Sequence, residues 1–133
     1  MAGGCAVIIR SGEGRYAVAL ELIRHDEGMT AILTGGEKTH VGAVVLAIPR
    51  GSLTGEGGSC DCYVLPVPGH KDDIVARKAA EALCVALGAP ICVSAGIHID
   101  HAETEEIKVL SKNCEAVTAK AVRMIKETDM KQF

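Results

Sequence analysis

The hydrophobic pattern of the chain changes its period once, near residue 68, and this change constrains the fold more than any other feature. Before it, five apolar segments have the alternation or the length typical of β-strands, namely residues 5–10, 15–23, 29–34, 41–48 and 60–67. After it, residues 71–87 and a last segment that begins near Asp100 have helical spacing, and the short apolar run 91–97 lies between them. The predicted element order is therefore β-β-β-β-β-α-β-α.

Successive strands without intervening helices favour an antiparallel meander, with both helices packed on one face. We therefore predict an α+β two-layer sandwich, with a mostly antiparallel six-stranded sheet and two helices, in a single domain of residues 1–133. The segment 41–48 is apolar on both faces, which predicts a central strand covered on both sides. Two layers cover only one of these faces, so we expect a homodimer to cover the other.

Local signals predict where several elements end. Gly88, followed by Pro90, is expected to end the helix over 71–87, and Gly35-Gly36 to break the chain before the fourth strand. The pair Asp100-x-x-Glu103 resembles a capping box at the start of the last helix.

Composition excludes several classes of partner. Only three aromatic residues occur, Tyr16, Tyr63 and Phe133, so the core must be aliphatic and surfaces for stacking bases are nearly absent. The formal charge of −3 and the dispersed Lys and Arg argue against nucleic acid. No apolar stretch reaches the roughly 18–20 residues that span a bilayer, and the first residues lack a signal-peptide pattern. We therefore expect a cytoplasmic protein with no membrane or nucleic-acid partner.

The cysteines are predicted to be reduced and structural, because none has CxxC spacing and most lie in apolar segments. They are Cys5, Cys60, Cys62, Cys84, Cys92 and Cys114. Cys60 and Cys62 share one strand face, so a soft metal ion is an alternative to simple packing there.

Most of the histidines lie at the ends of predicted elements. Strand alternation places Gly96, His98 and Asp100 on the same face. Because Gly96 has no side chain, we expect space for a ligand beside it. Neutral imidazoles with a carboxylate suit zinc, manganese, iron or nickel. The alternative is that Asp100 caps the last helix while His98 is bonded to the backbone.

Two further positions could bind phosphate. His70 and Lys71 lie where a helix begins, and its free N–H groups attract anions, but Asp72 and Asp73 already lie at that positive end. Arg50 could bind phosphate bidentately or be an ordinary surface arginine. No HExxH, P-loop, GxSxG or strand-linked GxGxxG motif is present, so spacing alone names neither the metal nor a reaction.

Four blocks of sequence, taken in order, resemble one known family. They are Gly35-Gly36 with His40–Val44, then Pro49-Arg50-x-Ser52-Leu53, then Pro68–Asp72, and finally Ala95–Asp100. In these blocks the chain resembles the LpdD family, the small accessory proteins of gallate decarboxylase, over about residues 5–125.

The resemblance implies a chaperone that binds prenylated flavin mononucleotide, or FMN itself, and delivers it to a UbiD-type decarboxylase without being an enzyme. It implies a divalent metal of unspecified identity, bound by His40, His70, His98 and Asp100. It also implies cofactor contacts from His40, Arg50, Ser52, Gly69 and Lys71.

On this interpretation the flavin ring would lie on the aliphatic rim of the sheet, under the loop 51–59 as a lid. Tyr16 and Tyr63 would be the candidate stacking partners. Two alternatives remain open. One is a small metal-dependent hydrolase or lyase that uses Asp100 or His101 as acid or base. The other is a structural component of a decarboxylase with no ligand of its own.

Overall fold

The computed structural model describes residues 6–128. Strands β1 to β6 comprise Ala6–Ser11, Val18–Arg24, Met29–Gly36, Lys38–Gly51, Gly58–Pro66 and Ile91–His98. Helices α1 and α2 comprise Asp73–Leu87 and Thr104–Glu127, and a 3₁₀ turn covers Gly14–Tyr16. The predicted α+β class and element order are confirmed. Cys5, assigned above to the first strand, lies outside the described residues.

The six strands form one sheet in the order β1-β2-β3-β6-β4-β5. Only the β3–β6 pairing is parallel, so the predicted mostly antiparallel character is confirmed and the sheet is mixed. The predicted continuous meander was wrong, because β6 lies between β3 and β4. The physical reason is burial: Ile91, Val93 and Ala95 of β6 are fully buried, and such a strand belongs in the centre of a sheet.

The link between β3 and β4 crosses the end of β6. Gly36 has a φ of 76°, and the N–H of Glu37 donates to the carbonyl of His98 at 2.7 Å. The break that we predicted at Gly35-Gly36 is a single residue, because β3 includes both glycines and β4 begins at Lys38. This crossing brings the start of β4 beside the end of β6.

Both helices pack on one face of the sheet, α1 on β4, β5 and β6, and α2 on β1 and β2. The core between the layers is aliphatic, as predicted, and includes Leu20, Leu33, Val45, Leu83 and Val93. Cys60 and Cys62 are half-buried and pack against this core, with their sulfurs 4.0 Å apart. Burial raises the pKa of the Cys62 thiol to about 11, so the thiol is protonated in the metal-free protein.

The other face of the sheet is open in the single chain. Leu46 is 41% exposed, Tyr63 59% and Leu65 71%. They lie on neighbouring strands, because Leu46 of β4 is paired with Tyr63 of β5. The expectation that residues 41–48 are covered on both sides therefore holds only for the helical side of the isolated chain.

The helix ends are partly as predicted. Gly88 has a φ of 70° and ends α1 through a hydrogen bond to the carbonyl of Cys84. The capping box of α2 joins Glu103 and Glu106, so the predicted role of Asp100 in it was wrong. Within residues 6–128, neither helix combines the length and the apolar character needed to cross a bilayer.

Candidate functional site

A bulge in β4 places His40. Thr39 pairs with Ile97 and Ala43 pairs with Ala95, so three residues of β4 lie opposite the single residue Gly96. Extra residues of this kind bend a strand and change the direction of its side chains. Here the bulge brings the imidazole of His40 to the start of α1, where its Nε2 lies 2.9 Å from Oδ2 of Asp72.

Two glycines permit this close approach. A Cβ on residue 96 would collide with the backbone carbonyl of His40. The space beside Gly96 is thus filled by β4, which corrects the expectation that it is free for a ligand. A Cβ on residue 42 would overlap the carboxylate of Asp72 and lie 2.9 Å from Nε2 of His40.

Asp72 is the central residue that sequence reasoning missed. It is buried, with 6% exposed, and both carboxylate oxygens are engaged. Oδ1 accepts the N–H of Ile97 at 3.0 Å, while Oδ2 contacts His40. Although Asp72 precedes α1, its side chain makes no capping hydrogen bond. It instead links the start of α1 to both β4 and β6.

His40, His70 and Asp72 form what we call the histidine cluster. Each offers one ligand atom, and these atoms lie within 4.8 Å of one another. The rings of His40 and His70 have their centroids 4.4 Å apart. Ligands at about 2.1 Å from one ion lie about 3–3.5 Å from each other, so small movements would suffice for coordination. Two imidazoles and one carboxylate suit zinc, manganese or iron.

His98 lies at the edge of this cluster, and Asp100 lies behind it. The rings of His98 and His40 are 6.1 Å apart, and Nε2 of His98 is 2.8 Å from Oδ1 of Asp100. The hydrogen bond from His98, and then the charge of Lys38, lower the pKa of Asp100 below its usual value. Asp100 is thus ionised and orients the His98 ring.

A cavity of about 240 Å³ adjoins the cluster, and we call it the histidine cavity. Gly69, His70, Lys71 and Asp72 line one side of it, and Ile97 and His98 belong to the same lining. Predicted metal and phosphate residues therefore meet in one place. The structure brings together five of them, which are His40, His70, His98, Gly69 and Lys71.

A comparison with protein families shows the family of the chain. The model described as the prenylated flavin chaperone LpdD-like domain matches residues 12–126. The chain belongs to this family. The matched range includes the histidine cluster, the whole of α1, and α2 except for its last residue.

Other comparisons concern the fold. One similar solved structure is described as the crystal structure of a novel chaperone complex for yeast 20S proteasome assembly. It is 14% identical, with a TM-score of 0.57, and the match covers 92% of this chain and 96% of that chain. At this identity the likeness shows the fold alone. No curated protein matches the chain.

Arg50 and Ser52 of the LpdD-like domain lie away from the cluster. Arg50 donates to Asp61 at 2.8 Å, and the Ser52 hydroxyl is 2.8 Å from that of Thr54. Arg50 is ten positions further along β4 than His40, on the order of 30 Å at about 3.3 Å per residue. Within one chain, the structure therefore does not bring Arg50 or Ser52 to the histidine cavity. The loop 51–59 lies at the same distant end and does not cover the cavity.

The tyrosines and His101 also lie outside the histidine cavity. The Tyr16 hydroxyl donates to Glu106 at 3.0 Å, and Tyr63 is on the open face of the sheet. His101 is exposed and has a left-handed backbone, with a φ of 53°. Of the two residues that the enzymatic alternative named, neither lines the cavity, and Asp100 contacts His98, which does.

Proposed function

We propose that this chain binds prenylated flavin mononucleotide at the histidine cavity and delivers it to a UbiD-type decarboxylase. Membership of a prenylated flavin chaperone family supports the cargo and the non-catalytic, accessory role. The observation that carries the site is the convergence of His40, His70 and Asp72 beside a cavity that Lys71 also lines.

The donor set of the histidine cluster supports a bound divalent metal ion, held by His40, His70 and Asp72. Such an ion would supply positive charge for the flavin phosphate and a coordination position that the protein leaves open. Lys71 would add a further positive charge at the cavity. His98, held by Asp100, would donate a hydrogen bond or extend the ligand set from its position at the edge.

The position of the cluster is compatible with release as well as capture. His70 is exposed, so one ligand of the proposed metal faces solvent. Neither tyrosine of the described residues lines the histidine cavity. Without aromatic stacking we expect moderate affinity for the flavin, which suits a protein that must pass its cargo on.

Reconstitution without air tests the proposal. The protein is incubated with reduced prenylated flavin and Mn²⁺ or Zn²⁺, desalted, and its visible spectrum recorded. We expect retained flavin in the wild type and a loss of more than about 100-fold in metal affinity for His70→Ala, since even outer-shell partners contribute 10–100-fold. His25→Ala is the matched control, because His25 is exposed and its imidazole contacts the hydroxyl of Thr30. A colourless wild type would refute the proposal.

Transfer is tested separately. The loaded protein is mixed with an apo UbiD-type decarboxylase, and the two proteins are separated under anaerobic conditions. Flavin should be found on the decarboxylase, and its activity should rise with the amount transferred. Turnover of a substrate by the chaperone alone would favour the metalloenzyme alternative instead.

We further propose that a second copy of the chain covers the open face of the sheet. The support is the exposure of Leu46, Tyr63 and Leu65 on two neighbouring strands, which is unusual for a face left in water. The cysteines that the structure describes are all free, which supports a reducing compartment such as the cytoplasm.

A further inference from the structure

A second cavity, of about 470 Å³, lies between α1 and α2. We call it the interhelical groove. Its buried lining residues are Ala79, Cys114 and Thr118, while Val75 and Val122 are half-buried. The lining spans Ile74 to Ala82 on α1, about 12 Å at about 1.5 Å per residue. The groove is thus elongated and mainly aliphatic.

The groove adjoins the histidine cavity, because Val75, Ser111 and Cys114 line both. Burial raises the pKa of the Cys114 thiol to about 12, so this shared residue is neutral at physiological pH. A ligand that spans both cavities would meet the polar cluster at one end and, at the other, the uncharged buried side chains of Ala79, Cys114 and Thr118.

Volume decides how a flavin can be accommodated. Sites for small molecules usually measure about 300–1,000 Å³. The histidine cavity, at about 240 Å³, is below this range, while the groove, at about 470 Å³, is within it. The histidine cavity alone is therefore too small for a whole flavin nucleotide, and the adjoining groove offers the missing space.

We infer that the interhelical groove receives the ring system of the prenylated flavin, with the phosphate at the histidine cluster. This inference rests on the proposed function and specifies where its cargo lies. The ligand has an anionic end and a large apolar planar body, and the two adjoining cavities have the matching order of charge and apolar surface. Small side chains at Ala79, Ala82 and Ala119 leave room for such a body.

A salt bridge between Lys78 and Glu115 lies at the rim of the groove. Nζ of Lys78 on α1 is 3.8 Å from Oε1 of Glu115 on α2, and both side chains are more than 60% exposed. An exposed pair of this kind contributes about 0–1 kcal/mol, so it can separate at little cost. The rim would therefore open for a ligand without disturbing the buried contacts between the helices.

The test fills the groove without touching the cluster. Ala119→Trp places an indole in the groove, and Ala116→Trp is the matched control, since Ala116 is also exposed on α2 but does not line the groove. We expect Ala119→Trp to weaken binding of reduced prenylated flavin at least about tenfold, and Ala116→Trp to leave it unchanged. Both variants should bind Mn²⁺ and inorganic phosphate like the wild type. Ala82→Leu repeats the test from the facing helix.

The outcomes separate this inference from the proposed function. If Ala119→Trp and Ala82→Leu both bind flavin as the wild type does, the ring lies elsewhere and only the groove is refuted. Equal weakening by Ala116→Trp also refutes it, because the effect would then come from a general disturbance of α2. A wild type that binds metal but no flavin refutes the proposed function itself, and the groove assignment with it.

Discussion

The carboxylate of Asp72 occupies the space that a side chain at position 42 would need, so only glycine fits at position 42. A Cβ at position 42 would overlap that carboxylate and crowd Nε2 of His40. The missing side chain at Gly42 in β4 thus allows Asp72, at the start of α1, to reach His40.

Gly42→Ala should damage the cluster more than the fold. Overpacking costs about 1–3 kcal/mol, so we expect the free energy of unfolding to fall by that amount and metal affinity by at least about tenfold. Gly51→Ala, in the same strand with no atom near the added Cβ, should change neither quantity. Thermal melts and calorimetric titration with Zn²⁺ measure both. Wild-type metal affinity in Gly42→Ala would show that Asp72 is no ligand.

Asp72→Asn should remove the negative charge of the cluster while leaving the fold intact. The amide oxygen can still accept the N–H of Ile97, so circular dichroism should show a folded protein. Loss of the negative charge should reduce Zn²⁺ affinity by more than about 10-fold, since even outer-shell partners contribute about 10–100-fold. Asp73→Asn, next in the chain, is the control and should leave the affinity unchanged. Equal losses in both variants would assign the effect to the helix terminus in general.

Arg50→Ala should have little effect on binding. Arg50 is on the order of 30 Å from the cluster along β4, by the rise of about 3.3 Å per residue. We expect flavin and metal affinities within about twofold of the wild type, and a stability change below about 1 kcal/mol from its exposed pair with Asp61. A loss above tenfold would mean that a second copy brings Arg50 to the cavity of the first.

Alkaline pH should destabilise the protein through its buried thiols. Burial, and then the neighbouring Cys60, raise the pKa of Cys84 to about 11 from an ordinary value of about 8.5. The folded state therefore holds this proton more tightly, so its stabilising effect is present below about pH 8.5 and is lost as pH rises towards 11. In denaturant titrations, Cys84→Ala should reduce the slope of stability against pH by up to about 1.4 kcal/mol per pH unit. An unchanged slope would contradict the assignment.

Leu65→Asp should prevent self-association. Leu65 is 71% exposed on the open face, and a carboxylate there would be buried without a partner in any dimer formed through this face. Light scattering should report a dimer for the wild type and a monomer for the variant. Leu53→Asp, in the distant loop, is the control, because Leu53 is 92% exposed and off this face. A monomeric wild type would refute the proposed dimer.

Features set by neighbouring residues could be predicted from the chain. The alternation of apolar residues identified the strands, and Gly88 identified the end of α1, because both depend on local backbone geometry. The scarcity of aromatic residues correctly predicted an aliphatic core. The resemblance in four blocks also identified the family, and three of its four proposed metal residues lie in or beside the cluster.

Pairings between distant segments were decided only by the tertiary structure. The position of β6 between β3 and β4 depends on which strand buries most surface across the whole sheet, and the chain order does not carry that information. Asp72 and Asp73 look equivalent as acids at a helix start, yet only Asp72 meets His40, because a bulge in β4 and two glycines make room for it. Local periodicity determines the elements, whereas side chains far apart in sequence meet only when the packed layers bring them together.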